Sequence, residues 1–269
     1  FFNNEVTNVV IPKFVIAISN LAFFDNKLTH IEIPNSVISI IHNAFYKNEL
    51  STLVLPDSVV YIGSRAFMSN KLTKLVLPNS SGTNIYENAF NDNKLTNLVI
   101  PPSIKHIGIS AFHQNELINI ELPNSISYIS DFAFSNNKLT SLVIPNSVSL
   151  ICKRVFYNNK ITSVVISDSV ISIGKNAFHD NKLTSIVIPD SVISIGKNTF
   201  YNNKITSVVI QDKFKTNEQI YKIFNFTLDD LRHRNREFIK QSLDGILPFH
   251  LNLCDIIIDY LVLSSELIE

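Results

Sequence analysis

The chain has 269 residues, of which 45% are hydrophobic and 17% charged, and 23 Lys and Arg balance 23 Asp and Glu to a net charge of zero. Proteins that bind nucleic acid or anionic membranes normally carry an excess of basic residues, so this balance argues against both classes. Two cysteines, Cys152 and Cys254, are too few for a disulfide framework or a four-ligand zinc site. No apolar run reaches the ~18 residues that a membrane span needs, since polar residues interrupt the nearest one, 245–263.

Phenylalanine recurs at a fixed interval along the first 210 residues. The interval is 22 residues, apart from one of 23 between Phe67 and Phe90, and the position 22 residues before Phe23 is Phe1, so the chain opens in mid-repeat. The recurring positions are Phe23, Phe45, Phe67, Phe90, Phe112, Phe134, Phe156, Phe178 and Phe200. Self-similarity at one period is typical of stacked repeat architectures.

Each repeat predicts two extended segments and a turn. A β-branched run such as 139–144 predicts a strand, which Pro ends at eight of ten positions. After an Asx-Ser corner, a Val-x-x-Ile segment such as 170–173 predicts a second short strand. Four repeats then carry a glycine, where we expect a corner with positive φ: Gly63, Gly108, Gly174 and Gly196. A turn ending in Ala-Phe, too short for more than one helical or 3₁₀ turn, completes the unit.

A single repeat buries too few apolar side chains to offset the entropy of ordering its 22 residues. Neighbouring repeats must therefore share their apolar faces, and we expect columns of Phe, Ile and Leu to run through one continuous core. One repeat has an extra residue and lacks the Val-x-x-Ile segment, which predicts a bulging loop at 79–84.

The repeat phrase L-T-x-[VI]-x-IP-x-S-V-x-x-IG-x-x-AF-x-x-[NC] resembles the BspA-type leucine-rich repeat family over residues 1–210. The resemblance implies a leucine-rich repeat solenoid: a curved array of about ten coils with parallel β-strands on one side, acting in adhesion or protein recognition and without enzyme activity. Ser167 and Gln211 stand where the family has Pro, and five coils replace the Gly: Ser19, Ile41, Tyr86, Ser130 and Cys152.

Two residue columns are predicted to line the open face of the strands, because the leucine-rich pattern turns the first, fourth and sixth strand residues inward. The candidate protein-binding residues from these columns are His30, Glu32, Val54, Lys74, Val76, Val99, Glu121, Val143, Val165, Val187 and Val209. Solvent-facing strand positions usually alternate to polar residues, whereas most of the fifth-position column is Val. Three interpretations stay open: Val as a simple strand former, a stripe covered by a protein partner, or a stripe covered by the C-terminal segment or a second copy.

Two further columns follow each Phe. An Asn column is interpreted as structural, with each amide bonding the backbone of the next coil or adopting a left-handed conformation: Asn26, Asn48, Asn70, Asn93, Asn115, Asn137, Asn159, Asn181 and Asn203. The next column is mostly Lys and is interpreted as a solvated edge that discourages aggregation, with a track for anionic glycan or phosphate as the alternative.

The sequence offers no candidate for catalysis, a cofactor, a metal or a small-molecule substrate. The seven His fall in different columns or several coils apart, so we interpret them as isolated surface residues. Glu32 and Glu121 share a column four coils apart, roughly 19 Å, which is too far for a glycosidase pair. Cys152 has no nearby His and is interpreted as a passive thiol.

The period stops after Ile210, and residues 211–269 are predicted to form three helices. Thr216 and Gln219 suggest a capping box for the first, the second runs from Thr227 to Leu243, and Pro248 opens the third, which extends to about residue 263. This segment is interpreted as a cap or accessory domain. Its end, LPFHLNLCDIIIDYLVLSSEL, is loosely similar to an F-box.

Two functional hypotheses follow. The first is a non-catalytic scaffold that recognises a protein partner through the strand face, at the cell surface or in secreted form, as the family resemblance implies. The alternative is an intracellular adaptor whose F-box-like C-terminal segment docks a second partner such as ubiquitin-ligase machinery.

Overall fold

A computed structural model describes residues 4–214, 216–226, 230 and 233. Over most of this length the chain winds into a solenoid of nine turns, with strands of two or three residues, and a short helix follows the last turn. The strands of neighbouring turns are parallel and in register, 22 or 23 residues apart. The leucine-rich repeat solenoid with a helical C-terminal segment is therefore confirmed as the fold.

The Val-x-x-Ile segments and their equivalents form the two-residue strands, which confirms the predicted second strand. The irregular repeat also forms such a strand, β6, although it lacks the segment. They are β1 Ala17–Ile18, β2 Ser39–Ile40, β4 Tyr61–Ile62, β6 Asn84–Ile85, β8 His106–Ile107, β10 Tyr128–Ile129, β12 Leu150–Ile151, β14 Ser172–Ile173 and β16 Ser194–Ile195. The first six hydrogen-bond into one sheet and the last three into another. In each strand the Ile is buried in the core.

The β-branched runs form the three-residue strands. They are β3 Thr52–Val54, β5 Lys74–Val76, β7 Asn97–Val99, β9 Asn119–Glu121, β11 Ser141–Val143, β13 Ser163–Val165, β15 Ser185–Val187 and β17 Ser207–Val209. They hydrogen-bond in pairs: β3 with β5, β7 with β9, β11 with β13, and β15 with β17. Parallel strands thus lie on two sides of the solenoid, whereas the resemblance implied one, and the longest continuous sheet is the one made by the two-residue strands.

The core is a stack of Phe rings, one from each turn. Successive ring centroids lie between 5.2 Å, as for Phe45 and Phe67, and 6.0 Å, for Phe134 and Phe156. The rings are nearly parallel, and a Leu or Ile column at the start of each strand is fully buried beside them. The expected apolar columns are therefore present, and each turn depends on its neighbours for burial.

The positive φ predicted at Gly63, Gly108, Gly174 and Gly196 is wrong. Gly82 is the only glycine among the described residues with a positive φ, at 87°. These four glycines instead allow close approach of the backbone, since a Cβ on Gly63 would lie 2.8 Å from the carbonyl carbon of Ile41 in the preceding turn.

Non-glycine residues make the left-handed corners. They occupy the positions two before and two after each Phe; around Phe178 they are Asn176 at φ 58° and Asp180 at φ 57°. Asn and Asp tolerate this conformation better than most side chains. The irregular loop also differs slightly from expectation, because Asn84 already belongs to β6 and the bulge therefore ends at Thr83.

The helical C-terminal segment begins where the sequence predicts. After a 3₁₀ turn at Asp212–Phe214, helix α1 spans Asn217–Phe224, and the Oγ1 of Thr216 accepts a hydrogen bond from the Gln219 N–H at 3.2 Å. The ring of Phe224 stacks on Phe200 at 5.2 Å and so extends the core by one layer. The second predicted helix lies outside the described residues except for positions 230 and 233, and the third helix and the F-box-like string lie entirely outside them.

Candidate protein-binding face

The strand side of the solenoid consists of the outward residues of the three-residue strands and the equivalent residues of the first two turns. In β11, Ser141 and Val143 are exposed and Leu142 between them is buried. The same exposed-inward-exposed alternation holds from β3 to β17. The predicted direction of both columns is therefore confirmed.

All eleven candidate residues lie on the surface. The aliphatic members range in exposed fraction from 42% at Val76 to 78% at Val99, and four C-terminal members, Val143, Val165, Val187 and Val209, keep 54–63%. His30, Glu32, Lys74 and Glu121 are exposed as well. His30 and Glu32 lie in a segment that is not part of any strand.

We use the name ridge for the part of the fifth-position column that follows Val10: Glu32, Val54, Val76, Val99, Glu121, Val143, Val165, Val187 and Val209. Register pairing aligns its members, because Val54 lies opposite Val76, Val143 opposite Val165, and Val187 opposite Val209. At about 4.8 Å per strand the ridge covers roughly 38 Å. Glu121, which pairs with Val99, divides it into two aliphatic stretches.

Hydroxyl bonds along one edge hold the ridge in place. The Thr162 Oγ1 donates to the Thr140 carbonyl at 3.1 Å, and the Thr206 Oγ1 donates to the Thr184 carbonyl at 3.3 Å. The ridge is thus presented by a preformed backbone, which lowers the ordering cost of binding. The described part of the C-terminal segment packs on the last turn of the solenoid and leaves the ridge exposed.

The turn side of the solenoid is rich in polar residues, in contrast to the aliphatic ridge. It comprises the segments around each Phe: 20–27, 42–49, 64–71, 87–94, 109–116, 131–138, 153–160, 175–182 and 197–204. The Asn column lies here and is structural, as the example of Asn137 shows: its Oδ1 accepts from the Leu117 N–H at 3.0 Å, and its Nδ2 donates to the Phe112 and Phe134 carbonyls. Each amide bonds the preceding turn, not the following one as predicted.

The left-handed alternative is wrong for the Asn column. In each coil, the left-handed conformation belongs to the residue before the Asn, such as Asn136 at φ 54°. The Asn side chain is then free to reach across to the neighbouring turn, which explains why the column admits no other residue type.

Two of the predicted surface histidines are partly buried on the turn side. The His113 Nδ1 lies 2.5 Å from the Ser135 Oγ, and burial lowers the pKa of His113. The His179 Nδ1 lies 3.0 Å from a carboxylate oxygen of Asp180. Within the described residues, no three His, Cys, Asp or Glu side chains converge as a metal site would require. Cys152 is buried, and burial raises the pKa of its thiol, which agrees with a passive role.

The predicted Lys edge has two different halves. In the N-terminal turns, three of its Lys residues form ion pairs with a Glu of the same column in the preceding turn, for example at 3.0 Å for Lys27 with Glu5 and 2.8 Å for Lys71 with Glu49. The bond to Lys71 lowers the pKa of Glu49. The last three turns carry Lys without carboxylates in this column, and a second Lys column, Lys153, Lys175 and Lys197, that sequence reasoning missed although its spacing of 22 residues was visible.

Comparison with known proteins identifies the repeat. The model of the "BspA type Leucine rich repeat region" matches six copies over residues 1–118 and 105–225. No curated protein matches the chain in sequence. None of the helical segments in the described part of the chain has the length and apolarity needed to cross a membrane.

Solved structures of leucine-rich repeat proteins are similar to parts of this chain. The pneumococcal vaccine antigen PcpA is similar with a TM-score of 0.54 and 21% identity, over 77% of this chain and 62% of that one. A leucine-rich cell surface protein from Faecalibacterium prausnitzii has a TM-score of 0.43 and 24% identity, over 74% of this chain and 52% of that one. A leucine-rich repeat protein from Bacteroides ovatus has a TM-score of 0.45 and 22% identity, over 77% and 73%.

This chain therefore spans only part of the first two of these proteins, and identities below 25% support likeness of fold alone. The family match covers far more than half of the chain and coincides with the solenoid that the structure describes. The chain belongs to the BspA type leucine-rich repeat family.

Proposed function

We propose that the chain is a non-catalytic scaffold that binds a protein partner through the ridge, at the cell surface or in secreted form. The single observation that carries the proposal is the ridge itself, because its Val side chains stay largely exposed along register-aligned strands. Membership of a leucine-rich repeat family supports a recognition role, and the F. prausnitzii relative is described as a cell surface protein.

The physical basis is the cost of leaving an aliphatic column in water. Monomeric proteins normally expose apolar residues singly, whereas the ridge is a contiguous apolar stripe. Burial of each Val against a partner would be favourable. Ser141, Ser163 and Ser185 beside the C-terminal stretch supply hydroxyls for a polar rim. The polar residues of the N-terminal half, among them Glu32 and Lys74, would add charge selectivity.

The test is the double variant Val143→Lys with Val165→Lys. Two charges in the centre of the C-terminal stretch should abolish capture of the partner recovered by cross-linking to the wild-type chain, while circular dichroism stays unchanged. The matched control is Ile171→Lys with Ile193→Lys, because these aliphatic residues are similarly exposed at 47% and 67% but lie beside the two-residue strands.

Loss of capture in the ridge variant alone supports the proposal. Equal capture by wild type and ridge variant would move the binding site off the strand side and refute it, as would equal loss in the control.

A further inference from the structure

The turn side changes its charge abruptly between the sixth and seventh complete turns. In the first six segments, from 20–27 to 131–138, six acidic residues balance six basic ones. In the last three, 153–160, 175–182 and 197–204, seven residues are basic and one is acidic. We use the name basic end for these three segments. The protein as a whole is neutral, so this local excess is not a consequence of composition.

Two Lys columns border the basic end. One contains Lys153, Lys175 and Lys197, the other contains Lys160, Lys182 and Lys204, and all six residues are exposed. Backbone bonds hold the second column in register, since the N–H of Lys182 donates to Ile161 and that of Lys204 to Leu183, both at 2.9 Å. Like charges one strand spacing apart, about 4.8 Å, repel each other unless an anion lies between them.

In the part of the chain that the structure describes, carboxylates do not neutralise these columns. Among the described residues, none of the six Lys lies within ion-pair distance of an Asp or Glu, whereas Lys27, Lys71 and Lys138 of the N-terminal turns each have a Glu at 2.8–3.0 Å. The single carboxylate of the basic end, Asp180, lies 3.0 Å from the His179 Nδ1 and accepts a hydrogen bond from the Asn202 amide, and its bond with the Tyr157 hydroxyl raises the pKa of Tyr157.

The aromatic row between the columns determines which polyanion fits. Tyr157, His179 and Tyr201 form a row of mutually tilted rings, with ring centroids 5.2 and 4.8 Å apart, and the Arg154 guanidinium lies 5.7 Å from the Tyr157 ring centre. Single-stranded nucleic acids bind by stacking bases on open ring faces. Here neighbouring groups occupy the inner ring faces, which favours a ligand recognised through charge and hydroxyl hydrogen bonds.

A shallow groove runs along the second Lys column. Its volume is about 400 Å³, and its lining includes Asn158, Lys160, Asp180, Lys182, Asn202 and Lys204. Exposed amides alternate there with ammonium groups. Amides can form hydrogen bonds with sugar hydroxyls, and ammonium groups can bind sulfate or carboxylate. The groove is open and its lining spans three successive turns, which suits a chain and not a compact anion.

We propose that the basic end is a second binding surface that takes an acidic polysaccharide, with sulfate or carboxylate groups placed between the Lys residues of successive turns. This surface is distinct from the ridge, so the two binding functions can be tested and can fail independently.

The test is binding of the full chain to immobilised heparin, with neutral dextran as the blank. Replacing Lys160, Lys182 and Lys204 together by Gln should weaken binding at least about tenfold at roughly 0.1 M salt, where screening extends over about 10 Å. The matched control replaces Lys27, Lys71 and Lys138 by Gln, because these residues occupy the same column but are paired with Glu. It should change affinity less than about twofold.

Replacing Lys153, Lys175 and Lys197 by Gln tests the other column and should also weaken binding. Circular dichroism verifies that each variant is folded. Absence of salt-sensitive heparin binding by the wild-type chain, or equal losses in the control triple, would overturn the proposal. Tighter binding to a single-stranded oligonucleotide or to phosphatidylserine vesicles than to heparin would overturn it too, in favour of a nucleic-acid or membrane partner.

Discussion

The strand side and the turn side repeat with the same period but place opposite chemistry at their surfaces. On the strand side, Val143 and the other Val residues of the ridge point into solvent, while on the turn side Asn137 and its equivalents are buried, apart from the partly buried Asn203 of the last turn. The exposed Val side chains form no hydrogen bonds, whereas each Asn of the column forms hydrogen bonds with backbone groups of two turns. A residue type that recurs in every repeat can therefore stabilise the fold, as Asn does on the turn side, or remain exposed at the surface, as Val does on the strand side.

The largest expected effect is a difference in the free energy of unfolding between substitutions on the two sides. Asn137→Ala removes the partner of the Leu117 N–H and of the Phe112 and Phe134 carbonyls, and should lower the free energy of unfolding by about 2–4 kcal/mol. Val143→Ser on the strand side should change it by less than about 0.5 kcal/mol, since surface substitutions usually do. Urea denaturation followed by circular dichroism measures both, and similar losses would show that the ridge is structural.

A smaller effect concerns pH on the turn side. Burial lowers the pKa of His113, so the unfolded chain binds a proton there more readily than the folded one. Stability should be fully present above the ordinary His pKa of about 6.5 and decrease as the pH falls from that value toward the folded pKa. Denaturation midpoints between pH 7.5 and 5 measure the decrease.

The His113→Gln variant removes the titrating group and should flatten this part of the pH profile. His30 on the strand side is exposed, so His30→Gln should leave the profile unchanged. An unaltered profile in the His113 variant would assign the pH dependence to other groups.

The smallest effect is a gain in stability. Lys47 is held at φ 55°, a conformation that Asn136, Asn158 and Asn202 adopt at the same repeat position. Because Asn tolerates it better, Lys47→Asn should raise the free energy of unfolding by about 0.5–1 kcal/mol. Lys105→Asn, at an exposed position without positive φ, should give no such gain; if both variants gain equally, loss of charge is the cause.

Periodicity predicted much of the fold because equivalent positions in the nine turns have nearly the same surroundings. The Phe interval gave the stacked core, and the alternation in Ser141 to Val143 gave the outward direction of the ridge. The role of Gly63 could not be predicted, because a recurrent glycine signals either a positive φ or a close backbone approach, and only the contact with Ile41 distinguishes them.

The candidate site was predicted by position only in part. Exposure of Val143 follows from strand alternation, but whether a partner covers it depends on surfaces outside the chain. The sequence offered the Lys column of the basic end as an alternative track for an anionic glycan, but Lys27 and Lys160 look identical in sequence. Only the distances to Glu5 and its equivalents separate a neutralised Lys from an uncompensated one.

Helix α1 has a consequence for assembly. In the solenoid, the N–H groups two before and at each Phe bond carbonyls of the following turn, whereas those of Asn198 and Phe200 bond Lys222 and Ile223 of the helix at 2.7 and 3.1 Å. The helix thus imitates a further turn without offering its own strand edge. At this end of the solenoid the turn-side N–H groups of Asn198 and Phe200 are therefore already bonded within the chain and cannot pair with a second molecule.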